Sequence, residues 1–341
     1  MAYDNKILEA LEKYREYYES LPYKVRLTDL YKTQDLFNKY IIGKPKTIDN
    51  CYDAKVYKHT KQVGLMYVIE EQEVMSRVFH DYGITKYLLQ HLYKYPETKI
   101  VGIIGGHETL RTDESFSKCA MLTRSLARSG YVVISGGGPG AMESAHLGVY
   151  MSEYTKNDLE DAIKVLANSP SYKDKFWIDD AFKLRKKYKE SKIAESISIP
   201  TWFYGHEPPT LFATHIAKYF DNATREDTLM LESFGGLIVM PGSAGTLQEI
   251  FQKNVVNHYN IMGYQSPIIF YGKDYWTNKM PIYPLLKNLY KKGLSKNKLI
   301  TITDNEDEIF YTLRQFSLSQ ISTNDAHRKK YREYYNLDKL F

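Results

Sequence analysis

From Thr98 onward, short apolar runs ending in glycine alternate with amphipathic stretches, and this alternation constrains the fold more than any other feature. "TKIVGIIGG" precedes the helical "FSKCAMLTRSLARSG", and "YVVISGGGPG" precedes "AMESAHLGVYM". Strand–helix alternation at this period predicts a parallel sheet with helices on both faces. A polar, lysine-rich helical stretch over 152–195 interrupts the pattern, which resumes with the strand "SISIPTWFY". A helix is expected through 211–233, then the strand "GGLIVM" and a helix from near Thr246. The strand "PIIFYG", the helix "YPLLKNLYKKG", the strand "KLITIT" and the helix "DEIFYTLRQF" follow. Six strands are thus expected in one doubly wound, Rossmann-like α/β sheet over residues 97–318.

Ahead of it, Ile7, Leu8, Leu11, Tyr14 and Tyr18 recur at helical spacing, and the text stays helical to about Pro96 apart from a break at 43–46. Residues 1–96 are expected to form a mainly helical N-terminal region, and 319–341 a basic helical tail. A hydrophobic content of 43% over 341 residues suffices for a real core. No run reaches the roughly 20 apolar residues of a membrane span. The charged N-terminus has no apolar segment of the kind that directs secretion. Cys51 and Cys119 suggest neither a disulfide framework nor a zinc site. These features predict a soluble, cytoplasmic protein with no membrane partner. The net charge of +5 is spread over runs such as "RKKYKESK" in which acids are interspersed. Solvated helix faces explain them better than a nucleic-acid interface does.

Three strands end in glycine-rich turns: Gly105-Gly106, Gly136 to Gly140, and Gly242 to Gly245, the last containing Ser243. Ligands of open α/β sheets bind outside the carboxyl ends of the strands. Glycine there lets backbone N–H groups approach a ligand, and the helix that follows favours an anion, typically phosphate. Three such turns predict a phosphorylated ligand. "GGGPGA" at 136–141 also fits a dinucleotide fingerprint, but no second strand ending in an acid follows it.

Glu249 admits two readings. Thr246-Leu-Gln-Glu249 is a capping-box pattern, in which Thr246 caps a helix and Glu249 reaches back to it. Equally, Glu249 is a carboxylate one helical turn from a phosphate-holding turn. There it would stabilise an oxocarbenium-like centre or activate water. The residues alone leave both open.

"SGGGPGAMESAHLGV" followed about a hundred residues later by "MPGSAGTLQEIFQ" resembles the two signature motifs of the LOG family. These proteins were long labelled lysine decarboxylases and are now associated with nucleotide phosphoribohydrolase activity. "YFDNATREDTLMLES" is similar to the family's arginine-containing helix, and the likeness extends over about 97–318. The resemblance implies that Glu249 is the catalytic acid and Arg225 the catalytic arginine. It places phosphate on the backbone of Gly137, Gly138, Gly140, Gly242, Gly245 and Thr246, with Met142 and Glu143 lining the pocket. It also implies at least a homodimer, with the Arg225 helix near the subunit boundary.

This chain departs from the family at Ser243, where a second glycine is usual, and at Glu226, where a lysine usually follows the arginine. No lysine stands in a context that suits pyridoxal phosphate, so the decarboxylase label has no support. Glu207 is expected to hold a ribose hydroxyl or base edge, and His215 to reach a phosphate. The spacing of His206, Glu207 and His215 fits no metal-ligand pattern. The function expected is hydrolysis of the N-glycosidic bond of a nucleoside 5′-monophosphate, with no metal or redox cofactor. A non-catalytic nucleotide sensor on the same fold is the alternative.

Overall fold

The computed structural model describes residues 5–65, 67–203 and 207–320, with side chains from residue 12 onward. The helical N-terminal region contains α1 (Asn5–Ser20), the single turn α2 (Thr33–Leu36), α3 (Tyr52–Val63) and the long α4 (Glu71–Leu92). The alternating part follows as β1 (Ile100–Ile104), α5 (Glu114–Arg128), β2 (Val132–Ser135) and α6 (Ala141–Tyr150). Two helices, α7 (Lys156–Leu166) and α8 (Trp177–Lys187), fill the polar insertion before β3 (Ser196–Ser198) and β4 (His215–Ile216). Then come α9 (Asn222–Glu232), β5 (Gly236–Val239), α10 (Ala244–Tyr259), β6 (Ile268–Tyr271), α11 (Ile282–Lys291), β7 (Ile300–Thr303) and α12 (Glu306–Gln320). The tail expected over 319–341 lies outside the described residues from 321 on.

All the strands join one sheet in the order β4-β3-β2-β1-β5-β6-β7, and every pairing is parallel. The chain winds outward from β1 in one direction, then returns to β5 on its other side. The topological switch point therefore lies between β1 and β5, where an open α/β sheet forms its ligand crevice. The central strands are buried along their whole length, which is why they read as unbroken apolar runs.

Two expectations are corrected. Among the described residues there are seven strands and not six, because His215 and Ile216 pair with β3. The helix expected through 211–233 begins only at Asn222, with Asp221 as its N-cap accepting from the Thr224 N–H at 2.8 Å. Residues 211–220 are instead apolar because they are covered. Tyr31 exchanges backbone hydrogen bonds with Ile216, 3.1 and 2.7 Å, so the N-terminal region shields the sheet edge at β4. Tyr23, Leu27, Leu30, Leu36, Ile84 and Leu88 share one buried cluster with the sheet. Behind them Asp53, on α3, accepts from Lys218 Nζ at 2.6 Å and Trp202 Nε1 at 2.8 Å. Among the described residues no helix is long and apolar enough to cross a membrane.

Candidate functional site

The three glycine turns follow β1, β2 and β5, which are neighbours in the sheet, so they meet at one edge. Between them lies a cavity of about 410 Å³ lined by Gly105, Gly106, Gly136 and Gly138 on one side and Ser243 to Thr246 on the other. Its wall also includes Met142, Glu207, Arg225, Glu226, Gln248 and Glu249. Cavities that hold small ligands start at about 300 Å³.

Close approach of the turns explains two of the glycines. Gly140 has φ +69°, and a Cβ there would lie 2.4 Å from the Gly106 carbonyl oxygen. A Cβ on Gly242 would lie 2.2 Å from Thr246 Oγ1 and 2.8 Å from the Gly106 nitrogen. Gly106 N–H donates to Pro241 O at 2.9 Å, locking the turns after β1 and β5 together. Gly140 and Gly242 thus shape the turns, and neither lines the cavity itself. Gly245 differs: a Cβ there would meet nothing, so packing does not require glycine, and its open side is the cavity. Ser243 sits at φ −116°, so the turn does not demand the positive φ that would favour glycine at this position.

α10 starts at Ala244, three residues before the start that the capping-box pattern implies. Its N-cap is Ser243, whose side chain makes no capping bond. Thr246 lies inside the first turn with its hydroxyl over Gly242, and Glu249 lies in the second turn. The capping role for Thr246 and Glu249 is therefore overturned. The first N–H groups of α10 have no intrahelical partner. The Ser243 side chain does not cap them, and Ala244, Gly245 and Thr246 line the cavity.

Glu249 faces α9. Arg225 Nη1 donates to Glu249 Oε1 at 3.4 Å, while its Nη2 donates to Glu226 Oε1 at 3.1 Å and to Asn222 Oδ1 at 2.9 Å. Glu226 also accepts from Gln248, and Asp227 from Gln252. Lys253, one turn beyond Glu249, is buried and donates to the carbonyls of Met230 and Ser233 at 2.8 and 3.0 Å. These ties hold α9 and α10 together and fix where Glu249 stands. Burial pushes the Glu249 carboxyl up to about 7; Arg225 pulls against that rise, and the Glu226 carboxylate adds to it. Arg225 Nε is buried without a hydrogen-bond partner among the described residues. At the cavity mouth His107 Nε2 lies 3.8 Å from Glu207 Oε1.

Not every expected residue reaches the cavity. Glu143 is fully buried behind it, gripped by Arg111: Nε to Oε2 at 3.1 Å and Nη2 to Oε1 at 2.5 Å. Arg111 also donates to the carbonyls of Leu166, Ser169 and Trp177 and lies over the Trp177 ring. Glu143 therefore anchors α7 and α8 to α6, and its expected place in the lining is corrected. His215 lies on β4, packed against His91 with ring centroids 4.0 Å apart, and does not line the cavity. His206 lies outside the described residues. Sequence reasoning did not single out Arg111, His107 or Gln248. Gln248 alone carried a local signal, its position beside Glu249 at the start of a helix.

Residues 98–154, from β1 through α6, match the model of the SLOG cluster4 family. No curated protein matches the chain. Among solved structures, the molybdenum cofactor binding protein of the phototrophic bacterium Rippkaea orientalis is 17% identical with a TM-score of 0.38, covering 64% of this chain and 96% of that one. The molybdenum cofactor carrier protein of Chlamydomonas reinhardtii is 13% identical with a TM-score of 0.40, covering 63% and 96%. TM1055 is 19% identical with a TM-score of 0.32, covering 50% and 72%. The first two glycine turns thus lie within the residues that match the SLOG cluster4 family model, and the turn after β5 closes the same cavity on an all-parallel sheet.

Proposed function

We propose that the protein hydrolyses the N-glycosidic bond of a nucleoside 5′-monophosphate, releasing free base and ribose 5-phosphate. The observation that carries this reading is Glu249: a buried carboxyl near pH 7, facing Arg225, one turn inside a helix whose uncapped start opens onto the cavity. The 5′-phosphate sits against the N–H groups of Ala244, Gly245 and Thr246, where the helix end favours an anion. The ribose then lies over Glu249 and Met142, with Glu207 at the mouth beside the sugar hydroxyls or the base. As the C1′–N bond breaks, its electron pair leaves with the base, which takes up a proton. Ionised Glu249 stabilises the positive charge at C1′ and accepts a proton from the water that adds there. Arg225 acts as a positioning residue, because its terminal nitrogens are engaged by carboxylates and hold Glu249 in place. No metal or redox cofactor enters these steps.

The test is to incubate the protein with nucleoside 5′-monophosphates and with the matching nucleosides. Free base from the phosphorylated compounds alone is expected. Equal release from nucleosides would remove the phosphate site from the account.

One observation favours a second reading, a nucleotide sensor without turnover. Glu226 joins Glu249 on Arg225, so this site holds two acids against one guanidinium. A chain that binds nucleotide tightly and releases no base would be that sensor.

The same reading extends to assembly and place. Phe251, Val255 and Tyr259 are exposed at four-residue spacing along α10, an apolar stripe that suits a homo-oligomer contact beside the site. Light scattering that returns a monomer at micromolar concentration counts against it. A reducing, cytoplasmic setting suits two cysteines that are both free and buried. Secretion of the native protein in cell fractionation would contradict that placement.

A further inference from the structure

A second cluster of ligand-type side chains stands at the opposite end of the strands from the cavity. His91 lies in the last turn of α4, Glu195 immediately before β3, and His215 at the start of β4. One potential donor atom from each lies within 4.8 Å of the others. His91 Nδ1 is 4.0 Å from Glu195 Oε2, and the two imidazole rings are 4.0 Å apart and tilted by 39°.

Two features point to something missing between them. Glu195 Oε2 and His215 Nδ1 are both buried with no hydrogen-bond partner among the described residues. Buried polar atoms rarely go unpaired, and each one left so costs stability. Furthermore, His91 is oriented from behind. Its Nε2 lies 2.8 Å from Asp29 Oδ1, which also accepts the Leu30 N–H at 2.7 Å. A carboxylate on the far nitrogen of an imidazole is the usual support for a metal-ligating histidine, because it leaves the near nitrogen's lone pair free. The remaining neighbour of His91 Nδ1 is Lys94 Nζ at 3.4 Å, on an exposed side chain free to swing away.

We propose that His91, Glu195 and His215 bind a divalent transition-metal ion, zinc foremost, which pins α4 to the sheet edge at β3 and β4. Two imidazoles and a carboxylate form a borderline donor set that suits zinc and leaves a fourth position for water. Zinc–nitrogen bonds of about 2.0–2.1 Å set tetrahedral donors roughly 3.3 Å apart, so the cluster tightens by about 1 Å on binding. The ion is a staple for an edge strand of two residues, and the cavity does not take part.

The full-length chain, without a histidine tag and dialysed against chelator, is titrated with Zn²⁺ by calorimetry and with Co²⁺ by visible absorption. One equivalent of zinc, a rise in Tm, and cobalt bands of a four- or five-coordinate site are expected. Glu195→Gln and His215→Gln should each abolish saturable binding. Asp29→Asn should weaken it by about 10–100-fold. Glu249→Gln should leave it unchanged. Should the ligand variants fail to fold, the parent still decides: no stoichiometric zinc and only octahedral cobalt spectra would overturn the proposal. So would undiminished binding in folded Glu195→Gln and His215→Gln proteins.

Discussion

Replacing Glu249 by glutamine should make the protein more stable at alkaline pH, and the size follows from burial. Glutamine copies the shape of the protonated acid but never charges. In the folded protein the Glu249 carboxyl stands at about 7, against 4.5 ordinarily, with burial the main cause. A carboxyl raised in this way contributes its full stability below about pH 4.5, loses it as pH rises to about 7, and loses nothing further above. At roughly 1.4 kcal/mol per pH unit the parent forfeits about 3 kcal/mol across that window. The variant forfeits nothing. The pull of Arg225 is already contained in that value of about 7, so it takes nothing further from the difference. The two proteins should therefore unfold alike at pH 4.5. At pH 8 the variant should be more stable by about 3 kcal/mol, or about 4 °C in Tm for a chain of this length. Calorimetric or denaturant melts at pH 4.5, 6, 7 and 8 measure this. A glutamine variant less stable than the parent at pH 8, or one whose difference does not change with pH, would refute the reasoning.

Four further outcomes follow from the same geometry. Glu226→Gln removes a like charge that helps hold the Glu249 carboxyl up, so the pH midpoint of activity should fall below that of the parent, read from a kcat/KM–pH profile. Arg225→Met leaves two buried carboxylates facing each other and should cost about 3–5 kcal/mol at pH 8 and less at pH 5, measured by urea unfolding. Gly242→Ala forces a Cβ into Thr246 and the Gly106 backbone and should lose several degrees in Tm together with nucleotide binding. Ser243→Ala, at φ −116° and without a capping bond, should stay within about 0.5 kcal/mol of the parent.

The central sheet and its ligand edge were legible because both rest on local patterns. The apolar runs at 100–104, 132–135 and 236–239 are buried on both faces, and each carries its glycine turn in the sequence itself. Residues 211–220 misled because a covered apolar stretch has no period of its own; only the packing of the N-terminal region onto β4 decides that it is extended. The residues at 246–249 left capping open because the N-cap of α10 is Ser243 and not Thr246, a shift of about one turn that four letters cannot resolve. Arg225 and Glu249 stood out by motif. The partners that set their charge, Glu226 and Gln248, come together only when α9 packs on α10. Arg111 and Glu143 are separated by 32 positions, and His91 and His215 belong to different regions of the chain, so no local pattern joins either pair.

The most direct test of the central claim is to measure base and ribose 5-phosphate formed from nucleoside 5′-monophosphates in ¹⁸O-labelled water, with the parent and Glu249→Gln side by side. The account predicts equimolar products with the label on C1 of the ribose phosphate. It also predicts turnover that rises with pH through about 7, where Glu249 ionises, and falls by roughly two to four powers of ten in the variant while nucleotide still binds. A glutamine variant that releases base as fast as the parent would contradict the role given to Glu249. A parent that binds nucleotide and releases no base at any pH would contradict the enzyme altogether.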